Sequence, residues 1–445
     1  MNVGEIEKYK KEWMIADSKN SKEFFDSSKI KDSIFADLHI HSRFSRACSK
    51  NIDFENLVKW AKIKGLDLLG TGDFTHPIWI EEIKKLKEKD GFYYYNDFPF
   101  VISGEISLIY TQEKGRRIHL VLLVPSVEIA ERINSYLDKK GRRDYDGRPI
   151  FKIPADEFVK EMMNISKDIE VIPAHAWTPW FGVFGSMSGF DSLKECFKEQ
   201  FSNIHAIETG MSSDPEMNWM VNELEDKSII SFSDAHSFWP FRLGREATIF
   251  KKTESYNGII SQIRNNSFIA SIETDPAYGK YHFDGHRICN FSCSSLKTKE
   301  LNGICPVCKT PLTIGVENRV EQLSDNHEYI KNKQKPRNAK PFYKILPLHE
   351  IISLSTGGSI TAKKTWAVYN TLIEKFENEF NVLLNVSREN LIRDFPENNL
   401  LVDLIIKNRE GKIKVKPGFD GVYGIALIGD GKKQEKKIEN QKKLF

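Results

Sequence analysis

The sequence predicts an α/β fold in which about seven strands alternate with helices and close into a distorted (β/α) barrel, followed by a zinc-knuckle module and a smaller C-terminal α+β domain. Three observations predict it. Short apolar runs alternate with amphipathic stretches from residue 34 to about 280, metal-capable side chains stand where those runs stop, and four of the six cysteines crowd into positions 289–308. Strand and helix alternating at this spacing argue for a parallel sheet, and about seven repeats argue for closure. Barrels of this kind carry their chemistry at the C-terminal ends of the strands.

Residues 1–33 are a polar leader. The apolar runs 34–41, 66–73, 98–106, 118–125, 169–175, 204–209 and 229–236 read as strands, and 56–64, 80–89, 127–139 and 155–166 carry helical periodicity between them. His119 begins its run instead of ending it, so a hairpin pairing 107–110 with 116–119 has to fold it back over the rim. A strand at 246–250 and a helix at 256–265 complete a catalytic domain of 34–280. The zinc module then spans 281–316, and a C-terminal domain 317–428 holds a basic linker at 331–340, a helix over 361–380 and a glycine-rich end at 417–424. Residues 429–445 are lysine-rich and read as a flexible tail.

At 445 residues the chain is long enough for several domains. Its net charge of +3 is small beside 65 basic and 62 acidic residues, so any anion-binding surface has to be local. No apolar stretch approaches the roughly 18 residues of a membrane span, and the leader lacks the apolar segment of a secretory signal, so a cytoplasmic location with no membrane partner is expected. In that reducing setting, paired cysteines argue for zinc.

A His-x-His pair on a strand puts both imidazoles on one face, because strand side chains alternate. His39-Ile-His41 has that form, and Asp234-Ala-His236 repeats it with one carboxylate. With Glu105, His119, His175, Asp73 and Glu208 they make a mixed nitrogen and oxygen set that suits Zn²⁺, Mn²⁺ or Fe²⁺ better than Mg²⁺ or Ca²⁺. Each histidine alone reads equally well as a satisfied core residue; the set, placed at run boundaries, reads as a multinuclear metal site. His39, His41, Glu105, Asp234 and His236 are the expected catalytic residues. The cysteines suggest one structural Zn²⁺, with Cys305-Pro-Val-Cys308 as one knuckle and Cys289 in the other, partnered by His286 or by Cys293.

These motifs, from Asp37-Leu-His-Ile-His41 and Thr71-Gly-Asp73 through Gly104-Glu105, His119, Ala174-His175 and Glu208 to Ser233-Asp-Ala-His236, resemble in order those of the PHP (polymerase and histidinol phosphatase) superfamily. That resemblance implies a distorted seven-stranded barrel with a trinuclear centre for phosphoester hydrolysis. One departure matters: the family's second motif usually reads Thr-Asp-His, whereas Phe74 follows Asp73 here and a histidine comes only at His76, so either residue can be the ligand. Gly70-Thr-Gly-Asp-Phe-Thr-His-Pro77, the Asp284-Gly-His-Arg-Ile-Cys289 entry to the second knuckle, Leu312-Thr-Ile-Gly-Val316 and Gly418-Phe-Asp-Gly-Val-Tyr-Gly424 further resemble the endonuclease Q family over residues 34 to 425. This implies cleavage of double-stranded DNA on the 5′ side of uracil, hypoxanthine, xanthine and abasic sites, leaving 3′-hydroxyl and 5′-phosphate ends. The expected cofactors are then one structural Zn²⁺ and two or three catalytic divalent cations: Zn²⁺, Mn²⁺ or, less suited to imidazoles, Mg²⁺.

DNA contacts are expected from the aromatic loop after His175, through Trp177, Trp180 and Phe181, which either stacks on an extruded base, wedges into its vacancy or simply caps the barrel. Arg142, Arg143 and Arg148, with Arg242 and Arg245, are phosphate contacts in the same reading. The last residues, Gln441, Leu444 and Phe445, resemble the peptide by which bacterial proteins dock on the sliding clamp. Two rivals remain at this level: a phosphatase on a small phosphate ester, and a lesion-binding protein whose metals are structural.

Overall fold

A computed structural model describes residues 32–428; the leader and the tail, with Gln441, Leu444 and Phe445, lie outside the described residues. The chain forms two compact units, one of Ser33–Tyr343 with Val415–Ala426 and one centred on Lys344–Lys414. This differs from a single domain over 317–428. Backbone bonds from Gly418 to Ala277, Phe283 to Gly418 and Gly424 to Tyr278 sew the 415–426 segment to the larger unit. The Arg319 guanidinium, bonded to the Phe184 and Phe190 carbonyls and to Asp191, ties the 317–343 segment there too.

Up to residue 273 the strands of the larger unit are β1 (Ser33–Asp37), β2 (Leu68–Gly70), β3 (Lys87–Lys89), β4 (Phe92–Tyr95), β5 (Phe98–Gln112), β6 (Lys114–Val124), β7 (Ile150–Phe151), β8 (Glu170–Pro173), β9 (Ala206–Glu208), β10 (Ser228–Ile230), β11 (Ala247–Lys251) and β12 (Ala270–Glu273). Among these strands the main sheet runs β12-β11-β1-β2-β5-β4-β3, with β6 and β7 also on β5 and β8 on β6. Pairs β1–β2, β2–β5 and β9–β10 are parallel, while β5–β6 and β6–β8 are antiparallel. The expected hairpin is present in register, with Ser107 opposite His119 and Tyr110 opposite Arg116. Strands β9 and β10 pair separately. Just beyond the strand ends they are joined to their neighbours by the Ala176 N–H on the Glu208 carbonyl and the His41 N–H on the Ala235 carbonyl, both 2.9 Å.

One buried cluster takes Ala36, Leu68, Val101, Val121, Ile172, Ala206 and Ile230 from β1, β2, β5, β6, β8, β9 and β10. Their alternation with outward residues is what the period-two pattern requires. The helices are punctuated as their sequences dictate. Asp53 caps Phe54–Lys64 by accepting from the Asn56 N–H, and Gly65 ends it at φ 95, where a glycine avoids the Cβ strain of the left-handed region. Ser126 caps Val127–Asp138 through the Ile129 N–H, a cap worth about 1 kcal/mol. The helix expected over 80–89 instead occupies Pro77–Ile83, and its later residues form β3.

In the smaller unit, helices Leu348–Thr356, Lys363–Phe376, Arg388–Asp394 and Asn399–Arg409 carry the structure, and residues 345–413 contain no strand. Its apolar residues recur at helical spacing, as in Leu348, Ile351 and Ile352, and are buried. The expected α+β domain is therefore helical over this span.

Candidate metal centre and cleft

Most of the functional side chains stand at or just past a strand end, whereas Glu105 and His119 lie inside the long strands β5 and β6. Asp73, His175 and Asp234 follow β2, β8 and β10, and all three take positive φ, at 44°, 31° and 49°. Non-glycine residues enter this region at a cost that surrounding structure must over-determine, and such residues cluster at functional sites. The turn carries each side chain out of the strand's alternation and toward one point. Gly210 shows how tight that point is, since a Cβ there would lie 2.5 Å from the Cβ of His175.

Two groups of donor atoms result. His39, His41, Glu105 and Asp234 form one, Glu105, His119 and His175 the other, and within each group the donor atoms lie within 4.8 Å of one another. Glu105 belongs to both. Its Oε2 is 3.3 Å from His41 Nε2, and its Oε1 is 2.6 Å from His119 Nδ1 and 3.1 Å from His175 Nε2. The long hairpin β5–β6 makes this possible by bringing Glu105 and His119 together.

Asp73 and Glu208, expected as ligands, sit behind the histidines. Glu208 accepts from His39 Nδ1 at 2.8 Å and from the His175 N–H at 2.7 Å. Asp73 accepts from His41 Nδ1 at 2.9 Å, and also from the Ser42 N–H and the hydroxyls of Ser42 and Ser45. Carboxylates on Nδ1 fix the tautomer that leaves Nε2 free to ligate. His76 is elsewhere: it caps the helix Pro77–Ile83 and stacks on Phe44 with ring centroids 4.0 Å apart. His236 donates Nδ1–H to the Asp234 carbonyl at 2.9 Å and packs on His41, outside both donor groups.

The donor set fits divalent cations. His39 Nε2 is buried without a hydrogen-bond partner, yet it faces Glu105 Oε2 at 3.7 Å and Asp234 Oδ1 at 3.6 Å. A lone pair pointed at two carboxylates across a gap too wide for a hydrogen bond is what a shared cation would satisfy. The electrostatics agree. Burial opposes charge on His39, but Glu208, Glu105 and Asp234 push its pKa well above the usual imidazole value. Burial likewise opposes ionisation of Glu105, and His119 and Arg148 nevertheless hold it well below the carboxylate range. His119 itself is lowered to about 4, chiefly by burial.

Above the donors opens a cavity of about 470 Å³ lined by His119, His175 and Asp234 on its floor, and by Arg117, Arg148, Arg245 and Lys280 among its walls. Trp180, Phe181, Tyr281 and Tyr423 add aromatic surface. Arg148 binds Glu105 Oε2 through Nη1 at 2.9 Å. The Tyr423 hydroxyl pKa is lowered although burial alone would raise it, because Arg245, Lys280 and Arg242 surround it with positive charge. That is a local anion-binding field in a chain of nearly balanced charge.

Other expected contacts fall differently. Trp177 is fully buried; its indole N–H donates to Asn218 Oδ1 at 2.7 Å and its ring stacks on Phe184, so it offers no face to a base. Trp180 and Phe181 do reach the cavity, and Phe181 lies on the His119 ring at 4.3 Å. Arg142 is paired with Asp144, and Arg143 with Asp138 and the Thr75 carbonyl. Sequence reasoning assigned no role to Ser42, Ser45 and Thr178, which support Asp73 and His175 Nδ1. It also passed over Gly147, where a Cβ would come 2.2 Å from Asp73 Oδ2. A glycine wedged between Asp146 and Arg148 was the available signal.

In the cysteine module, His286, Cys289, Cys305 and Cys308 converge, with His286 Nδ1 3.2 Å from the sulfurs of both Cys289 and Cys308. Cys293 stands outside that group, its thiol 3.3 Å from the Thr298 hydroxyl. Of the two candidates left open, His286 is the one that stands with the other three donors. Four protein donors suit a closed tetrahedral zinc site.

A family model described as the MJ0043 C-terminal domain matches residues 347–412. The chain is 34% identical over 256 residues to the uncharacterized protein MJ0043 of Methanocaldococcus jannaschii, a match covering 56% of this chain and 31% of that protein. The chain therefore spans about a third of that relative. It is similar to the crystal structure of the lesion-specific endonuclease PfuEndoQ from Pyrococcus furiosus, at TM-score 0.79 and 29% identity, covering 89% of this chain and 96% of that one. It is also similar to an endonuclease Q in complex with a 27-mer duplex substrate bearing an abasic lesion at the active site, at TM-score 0.80 and 30% identity, covering 89% and 97%.

Proposed function

This chain belongs to the endonuclease Q family, and from that premise we propose that it is a DNA repair endonuclease that hydrolyses the phosphodiester 5′ of deaminated bases and abasic sites. The observation that carries the reading is the pair of donor groups sharing Glu105 beneath a cation-lined cavity. In the same reading, β1, β2, β5, β6, β8, β9 and β10 make a distorted seven-stranded barrel, the smaller unit and the zinc module serve DNA binding, and the C-terminal peptide docks on a sliding clamp.

A phosphodiester resists hydrolysis because its negative charge repels a nucleophile and its alkoxide leaves poorly. Divalent cations, when bound, supply the Lewis acidity that answers both problems. His39, His41, Glu105 and Asp234 would hold one, and Glu105, His119 and His175 a second, with Glu105 common to both. Asp73 and Glu208 keep His41 and His39 in the ligating tautomer and orientation. Arg148, fixed on Glu105 and facing the cavity, meets a nonbridging phosphate oxygen. Arg245 and Lys280 carry the flanking backbone, and Trp180 and Phe181 shield the centre from water on one side. His236, tied by Nδ1 to the Asp234 carbonyl, has Nε2 left to exchange a proton or a ligand at the rim.

The test is turnover on a duplex with one abasic site against turnover on a small phosphate monoester. Cleavage of the duplex with little monoester hydrolysis supports the reading. The reverse preference would return the site to a phosphatase.

A further inference from the structure

The two knuckles of the cysteine module end in aliphatic side chains that no described residue covers. Ile288 is 86% exposed and Val307 is 66% exposed, the two largest exposures among the large exposed hydrophobic side chains of the described residues. Each directly precedes a zinc-type donor, Cys289 or Cys308, and the sulfurs of those two residues each lie 3.2 Å from the same His286 nitrogen. The tips are therefore held by one rigid four-donor cluster. A rigid knuckle needs no aliphatic residue at either tip for its own fold; solvent-facing positions of tight turns ordinarily take polar residues.

What surrounds the tips narrows what they meet. Arg287 and Lys309 flank them, both exposed, and no acidic residue lies within either knuckle. The nearest acid bonded to the tips, Asp420, is engaged in accepting the Arg287 backbone N–H at 2.6 Å. One flanking cation reaches toward the cleft: Arg287 Nη1 and the Tyr281 hydroxyl lie 3.4 and 3.8 Å from the same point beside Gly421, and Tyr281 lines the cavity over the metal donors. Two apolar tips, each flanked by one cation and linked through Arg287 to a cation-lined cleft, have the chemistry of a duplex-opening wedge, in which an aliphatic side chain enters a base step while basic neighbours hold the backbone.

We infer that Ile288 and Val307 form a paired wedge that unstacks duplex DNA beside the target nucleotide. The inference rests on the endonuclease reading and deepens it. It also fills the place left by Trp177, whose burial removes it from that task. Because the tips are exposed and are not donors, they can be changed without taking apart the knuckles.

The test uses the double variant Ile288→Ser with Val307→Ser in the full chain, and the conservative Ile288→Leu with Val307→Ile beside it. Zinc content and melting behaviour are measured first and are expected to match wild type. Cleavage is then compared on a fully paired duplex with one abasic site and on the same duplex with mismatched pairs opening the lesion. A 2-aminopurine next to the lesion reports unstacking. The serine variant is expected to lose about tenfold on the paired duplex and to lose the fluorescence rise, while staying within about twofold of wild type on the opened duplex; the conservative variant keeps both. Equal loss on the two duplexes, or none on either, overturns the wedge while leaving the endonuclease reading intact. Wild-type protein that cleaves neither duplex overturns that reading, and the wedge with it.

Discussion

Replacing Asp73 by asparagine separates a metal ligand from a residue that positions one. The wild-type carboxylate accepts from His41 Nδ1, from the Ser42 N–H, and from the Ser42 and Ser45 hydroxyls. Burial would raise its pKa, but His41 and these donors lower it, so the group is charged in the folded protein. Asparagine keeps the shape, but its amide nitrogen must then face at least one donor among four. The hydroxyls can rotate; His41 and the Ser42 N–H cannot. The loss is about one hydrogen bond to a charged acceptor, roughly 1.5–3 kcal/mol, which converts to between about tenfold and a hundredfold in metal affinity or rate at about 1.4 kcal/mol per factor of ten. Loss of a partner behind a ligating histidine usually falls in the same range, about 10–100-fold. The assay is cleavage rate against concentration of added Mn²⁺ or Zn²⁺ after chelation. Asp73→Asn should shift the metal dependence to higher concentration and recover most of its rate at saturation. A loss of several orders of magnitude that saturating metal does not restore, matching Asp234→Asn, would make Asp73 a ligand and refute the reasoning.

Other expectations follow from the same geometry. His286→Ala should lose the structural zinc by elemental analysis while Cys293→Ala keeps it; zinc retained in both would contradict the four-donor assignment. Trp177→Ala should destabilise the protein by about 3–5 kcal/mol, as for other buried aromatics, with an equal effect on every lesion; selective loss on uracil over abasic DNA would restore it as a base contact. The buried pair Glu246 and Glu273 should make stability fall with rising pH. Burial pushes Glu246 up to about 8 and, with Glu246 beside it, drives Glu273 well above the usual 4.5. The folded state therefore binds a proton that the unfolded chain releases, and stability declines from about pH 4.5 through 8. Urea midpoints should show this, and Glu273→Gln, whose partners are the rotatable hydroxyls of Thr209 and Ser271, should flatten the decline. A midpoint independent of pH in wild type would mean the pair shares no proton.

The donor histidines and carboxylates were legible in the sequence because strand ends announce themselves: an apolar run stops and a ligand type stands there, as at His39-Ile-His41 and Ala174-His175. Glu105 and His119 are exceptions that stand inside β5 and β6; the hairpin joining these strands was legible to the residue because His119 begins its run and has to be folded back over the rim. Residue type does not say which nitrogen a carboxylate faces, so Asp73 and Glu208 read as ligands when they stand behind them. The aromatic loop misled because loop residues have no period; nothing in Trp177-Thr-Pro-Trp180 separates the buried indole from the one on the cavity. The cleft wall was invisible as a unit, since Arg117, Lys280 and Tyr423 meet only through tertiary structure. Helix 80–89 ended early because Lys87–Lys89 pairs with β4 instead.

The central claim is that the Glu105-centred donors cut DNA at lesions. It is met most directly by incubating end-labelled duplexes, each with one uracil, hypoxanthine or abasic site or none, with wild type and with Asp234→Asn, and mapping the product ends. A single metal-dependent cut 5′ of each lesion is expected, abolished by chelator and reduced by orders of magnitude in Asp234→Asn, with the undamaged duplex intact. Lesion cleavage that persists undiminished in Asp234→Asn, or that falls equally on undamaged DNA, would contradict it.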